Sequence, residues 1–81
     1  MSRFTQLESF VAVATLGTLS AAARQANIAP AMMGRRIDAL EERLGVKLII
    51  RSTRKLSLTP EGHIFLEEAQ RILKDLADTE S

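Results

Sequence analysis

Eighty-one residues bound one small domain, and 46% apolar content makes it globular rather than disordered. No cysteine and a single histidine exclude disulfides, thiolate metal sites and a histidine-built metal centre, and no apolar run approaches the ~20 residues of a membrane span. The net charge of +1 hides an asymmetry: Arg35 to Lys55 holds seven basic and three acidic residues, Pro60 to Ser81 two basic and six acidic, so one half suits a polyanion and the other faces away from it. No secretory signal opens the chain, so the expected location is cytoplasmic and the expected cofactor and metal content is none.

Residues 4–16 predict a first helix. Thr5 and Glu8 stand at capping-box spacing, Ser2 offers an earlier start, and Gly17 ends it. Phe4, Leu7, Val11 and Ala14 fall on one stripe with Phe10 beside it, and this element is read as core.

Ser20 to Asp38 predicts a short helix, a tight turn and a second helix. Ser20 is the expected N-cap, the small residues Ala22, Ala23 and Ala26 permit close helix approach, and Asn27 tolerates a left-handed turn. Pro30 suits the first turn of the next helix, which puts Met33, Ile37 and Leu40 on one side and Gly34, Arg35 and Asp38 elsewhere. That helix is expected to run through Arg43, with Glu41, Glu42 and Arg43 on its solvated face and Gly45 as its stop. The pattern is helix-turn-helix, its second helix the candidate reader of a DNA major groove.

Val46 to Arg51 and Leu56 to Thr59 are rich in strand formers and predict a hairpin whose tip carries Arg51, Thr53, Arg54 and Lys55. Two strands alone are unstable, so this hairpin must lie on the helices as a wing. Thr59 and Pro60 open a last helix. Phe65, Leu66, Ala69, Ile72, Leu73 and Leu76 form two adjacent apolar seams on it, one for the domain and one for a partner helix, or a single broad core face. His63 reads as a surface residue, and 78–81 as a fraying polar tail.

These elements carry a resemblance. Leu7 to Ala14, Gly17 to Ala23, Pro30 to Ile37, Leu40-Glu41-Glu42-Arg43-Leu44-Gly45-Val46-Lys47-Leu48, Arg51 to Arg54 and Leu58 to Gly62 resemble the N-terminal DNA-binding domain of LysR-type transcriptional regulators over nearly the whole chain. The resemblance implies a mainly α fold: a winged helix-turn-helix over 1–59 (motif about 19–38, wing about 46–59) with a three-helix core and two-stranded wing, then a linker and dimerisation helix over 60–81. It implies a homodimer on an interrupted palindrome in double-stranded promoter DNA, the reading helix 30–43 in the major groove and the wing in the minor groove. It further implies a tetramer at full length and a small-molecule effector bound by a C-terminal domain outside these residues.

Carried over residue by residue, Arg35 pairs with guanine or phosphate, Arg36 with phosphate, and Arg54 enters the minor groove; Arg51, Thr53 and Lys55 contact the DNA backbone, and Thr18 and Ser20 meet a phosphate at a helix N-terminus. Many members open the reading helix with Ser-Gln-Pro-Ala-Leu-Ser, where this chain has Ala29-Pro30-Ala31-Met32-Met33-Gly34. The cap is lost at Ala29, at a cost of ~1 kcal/mol. Pro30, Ala31 and Met32 offer only apolar contact, and Gly34 offers close backbone approach, so sequence choice shifts to the arginines, the wing and DNA shape. A winged helix that binds protein and not DNA is the alternative; an enzyme has no support, for the chain shows no nucleophile set, phosphate loop or room for a pocket.

Overall fold

The computed structural model describes residues 2–52 and 55–80, and the expectations placed on Thr53 and Arg54 lie outside them. Helix α1 is Arg3–Leu16. Of its two possible starts the earlier one is used: the Ser2 hydroxyl accepts from the Thr5 amide at 3.1 Å. Gly17 closes α1 at φ 85°, a left-handed conformation that favours glycine.

Helix α2 is Leu19–Ala26 and α3 is Pro30–Leu44. The cap of α2 is Thr18, whose hydroxyl accepts from the Ala21 amide at 3.0 Å; Ser20 lies inside the helix, which corrects the expected cap by two residues. Asn27 makes the predicted turn at φ 59°, its amide reaching back to the carbonyls of Ala23 and Arg24. Ala29 caps α3 without a side-chain hydrogen bond, Pro30 takes the first helical position, and Gly45 ends the helix at φ 71°.

Strands β1 (Ile49–Arg51) and β2 (Leu56–Leu58) pair antiparallel, Ile49 opposite Leu58 and Arg51 opposite Leu56. The strands are shorter than the predicted runs because Val46 to Leu48 only carries the chain from α3 to the hairpin. Helix α4 is Pro60–Glu80. Thr59 caps it as predicted, accepting from the Gly62 amide at 2.9 Å while donating to the Lys47 carbonyl at 2.7 Å. The helix continues to Glu80, through the described part of the expected fraying tail, held by a Lys74–Asp78 pair one turn apart and by the Thr79 hydroxyl on the Asp75 carbonyl.

Helix α1 packs on α2, α3 and α4, and α2 packs on α3. Phe10, Val13, Ala22, Ala23, Met33, Ile37, Leu40, Leu48 and Ile49 are buried together. The deep face of α1 is Gln6, Ser9, Phe10 and Val13, not the expected stripe, and Phe4 at its start is exposed. A helix touching three others needs more than one buried face, and the Phe10 ring meets Phe65 of α4 at 5.5 Å between centroids. Truncating Ile37 at the centre of this cluster to alanine costs ~2–5 kcal/mol.

Glu41 departs most from expectation. It is buried, not solvated. Its carboxylate accepts from the amides of Leu48 at 2.7 Å and Ile49 at 3.2 Å, and the Lys47 ammonium lies 3.6 Å away. It thus satisfies donors at the base of the wing that would otherwise be buried and unpaired.

Candidate nucleic-acid interface

The left-handed turn at Asn27 sets α3 across α2 so that the buried side of α3 is Met33, Gly34, Ile37, Leu40 and Glu41. The other side of its first turns is left in solvent: Pro30, Ala31, Met32, Arg35 and Asp38 are exposed. Met32 is half exposed, which separates it from the fully buried Met33 as expected. Arg35 makes no hydrogen bond or ion pair with any described residue, which leaves its guanidinium donors unengaged among them.

Two shallow clefts flank this exposed start. One lies between the N-terminus of α2 and the wing, lined by Thr18, Ser20, Arg51, Ser52 and Lys55. The positive end of a helix and the Lys55 side chain there give a surface suited to an anion. The other, beside α1, is lined by Thr5, Met32, Arg35, Arg36 and Ala39. The wing end is closed by Ser52 and Lys55: the Ser52 amide and hydroxyl donate to the Lys55 carbonyl at 3.2 and 2.6 Å, and the Ser52 hydroxyl accepts from the Lys55 amide. The Lys55 ammonium is left without a partner among the described residues.

Not every expected contact residue is free. Gly34 is buried, and a side chain there would point at Leu19 and Arg51 rather than outward. Arg51 turns inward, its Nη2 donating to Asp38 Oδ1 at 2.9 Å and to the Gly34 carbonyl at 3.3 Å. Arg36 is half-buried and donates to the Ser9 hydroxyl at 3.3 Å, while Arg43, behind it, donates to Gln6 at 2.9 Å. Sequence reasoning missed Asp38 and Glu41. For Glu41 a signal existed, since it stands one turn after Ile37 and beside Leu40 on the core face; for Asp38 there was none, because its partner lies 13 residues away.

On α4, Phe65 and Leu66 pack against the core and Ala69 is fully buried in the same protomer. Ile64, Ile72 and Leu76 remain exposed, with Leu73 half-buried among them. No cluster of metal-ligating side chains occurs among the described residues, and none of their helices is long and apolar enough to cross a membrane.

A three-helix core, a helix-turn-helix whose second helix shows an exposed basic start, a two-stranded wing beside it and a long final helix define a winged helix-turn-helix protein. Residues 4–63 match the family described as bacterial regulatory helix-turn-helix protein, lysR family, and the chain belongs to it. It is 46% identical over 71 residues to the HTH-type transcriptional regulator TcbR of Pseudomonas sp. (strain P51), a match that covers 88% of this chain and 24% of that protein. The chain therefore spans about a quarter of the length of the curated relatives it matches. Two DNA-bound structures superpose closely. The CbnR DNA-binding domain in complex with DNA matches with a TM-score of 0.91 at 42% identity, over 98% of this chain and 91% of that one. The BenM DNA-binding domain on the catB site 1 DNA matches with a TM-score of 0.92 at 35% identity, over 96% of this chain and 88% of that one.

Proposed function

We propose that this chain is the DNA-binding module of a LysR-type transcriptional regulator, that residues 1–59 read duplex DNA and that residues 60–81 join two copies. The observation that carries this reading is the exposed first turns of α3, with Arg35, unpartnered among the described residues, at their centre and a basic cleft on either side. A helix of 15 residues is about 22 Å long and enters a major groove end-on or along its start, where side chains reach base edges. The similar CbnR and BenM domains form complexes with DNA, which supports DNA as the partner in this reading.

In this reading Arg35 contacts a base edge, Pro30, Ala31 and Met32 give apolar contact to it, and Thr18, Ser20 and Lys55 meet phosphates. Arg54 enters the minor groove, and Thr53 contacts the DNA backbone. Ile72, Leu73 and Leu76 form the partner seam on α4. The module acts in the cytoplasm as a homodimer on an interrupted palindrome, has no catalytic activity, and leaves effector binding to a further domain of the full-length regulator.

The test separates base readout from phosphate contact. Arg35→Ala is expected to cost ~1–3 kcal/mol on a selected duplex and to relax sequence preference. Lys55→Ala is expected to weaken all duplexes alike and to reduce the salt slope by about one unit. Duplex affinity and salt slope unchanged in both variants would contradict the reading.

A further inference from the structure

The base and the far end of the wing are held in different ways. Its base is fixed by buried or short contacts: Glu41 on the amides of Leu48 and Ile49, and Thr59 on the carbonyls of Lys47 and Leu48. Its far end has one polar tie to α3 among the described residues. Arg51, the last residue of β1, reaches Asp38 and the Gly34 carbonyl, two acceptors one turn apart on α3. The reach does not depend on the glycine, since a Cβ built at Gly34 would stand 3.8 Å from Arg51 Nη1, an ordinary contact.

Both partners are substantially exposed, Arg51 at 41% and Asp38 at 59% of their side-chain surface. An exposed pair of this kind is weak, and a phosphate can compete with the carboxylate for the guanidinium. Asp38 is also an exposed carboxylate on the outer side of α3, near Arg35 in a surface otherwise suited to anions. Its charge opposes phosphate approach unless Arg51 neutralises it.

We infer that Asp38 and Arg51 form a latch that sets the wing against α3, and that Asp38 is a specificity-determining positioning residue. The latch keeps Arg51 out of indiscriminate phosphate contact and holds wing and helix at one relative placement, so that only duplexes matching both are bound well. This inference rests on the reading of the chain as a DNA-binding module.

The test is a double-mutant cycle on the ratio of two affinities: that for an inverted-repeat duplex selected from a random pool, and that for a scrambled duplex of the same composition. Asp38→Ala is expected to free Arg51, tighten binding to the scrambled duplex, steepen its salt slope by ~0.9, and lower the ratio roughly three- to tenfold, the size of one phosphate contact. In an Arg51→Ala background the same change is expected to shift both duplexes together and leave the ratio where it was. Asp38→Asn retains an oxygen for Arg51 and is expected to recover part of the ratio without recovering the slope. A ratio unmoved by Asp38→Ala, or moved equally in both backgrounds, overturns the latch. A wild-type chain that binds no duplex overturns the DNA reading and the latch together, whereas selective wild-type binding with an unmoved ratio overturns the latch alone.

Discussion

Replacing Gly62 by alanine sets two effects of opposite sign against each other. Gly62 lies in the first turn of α4, and alanine in a helix is favoured over glycine by up to ~1 kcal/mol. Yet a Cβ at Gly62 would lie 2.0 Å from the Leu48 carbonyl oxygen and 3.0 Å from its carbon. Restoring the ~3.3 Å of a close C–H···O contact requires α4 to retreat by roughly 1.3 Å. The atoms in the way are backbone, so no side chain can yield instead. The retreat stretches the Thr59 amide bond to the Leu48 carbonyl (3.0 Å) and the Thr59 hydroxyl bond to the Lys47 carbonyl (2.7 Å). Each such bond is worth ~1 kcal/mol, and overpacking adds ~1–3 kcal/mol. The clash therefore wins, and Gly62→Ala is expected to destabilise the domain by about 2–4 kcal/mol. With ~4–8 °C per kcal/mol for a domain of this size, the melting temperature should fall by roughly 10–25 °C, read by far-ultraviolet circular dichroism with a urea titration alongside. A variant as stable as the parent, or more stable, would refute the argument and show that propensity governs this position.

Other consequences are as direct. Glu41→Ala strips the acceptor from the Leu48 and Ile49 amides and should cost about 2–4 kcal/mol in urea denaturation, with Glu41→Gln, which keeps one carbonyl oxygen, losing less. Thr18→Ala should cost ~1 kcal/mol as the loss of a helix cap, while Ser20→Ala should stay within about 0.5 kcal/mol; equal effects would put the start of α2 elsewhere. Leu73→Glu or Leu76→Glu should yield monomers in sedimentation equilibrium with an unchanged helical spectrum, and a parent chain already monomeric at high concentration would count against the α4 seam.

Much of the fold was legible because it is written in local chemistry. Gly17, Asn27, Gly45 and the Thr59-Pro60 pair each mark a boundary through a backbone conformation or a cap that few other residues supply, and α3 starts and stops within one residue of expectation. The start of α2 was misplaced at Ser20 because two capping residue types stand two apart, and only the geometry shows that Thr18 is the one outside the helix. Glu41 was misread for a physical reason: a carboxylate on a core stripe is costly unless donors come to it, and those donors arrive from a segment seven and eight residues on. Nothing local reports the approach of β1 to α3, so the sequence alone places Arg51 and Gly34 facing outward. The candidate interface was thus legible as a set of residue types, whereas the distinction between Arg35, free among the described residues, and the engaged Arg36 and Arg51 belongs to long-range packing.

The central claim is that this surface selects DNA sequence. Its most direct test is selection by the chain from a randomised duplex pool at fixed moderate salt, followed by sequencing of the bound fraction. Enrichment of an inverted repeat, with half-sites separated by a defined spacer, is the predicted result. A bound fraction no different in sequence from the input, with affinity that collapses as salt is raised, would leave only the phosphate attraction and contradict the claim.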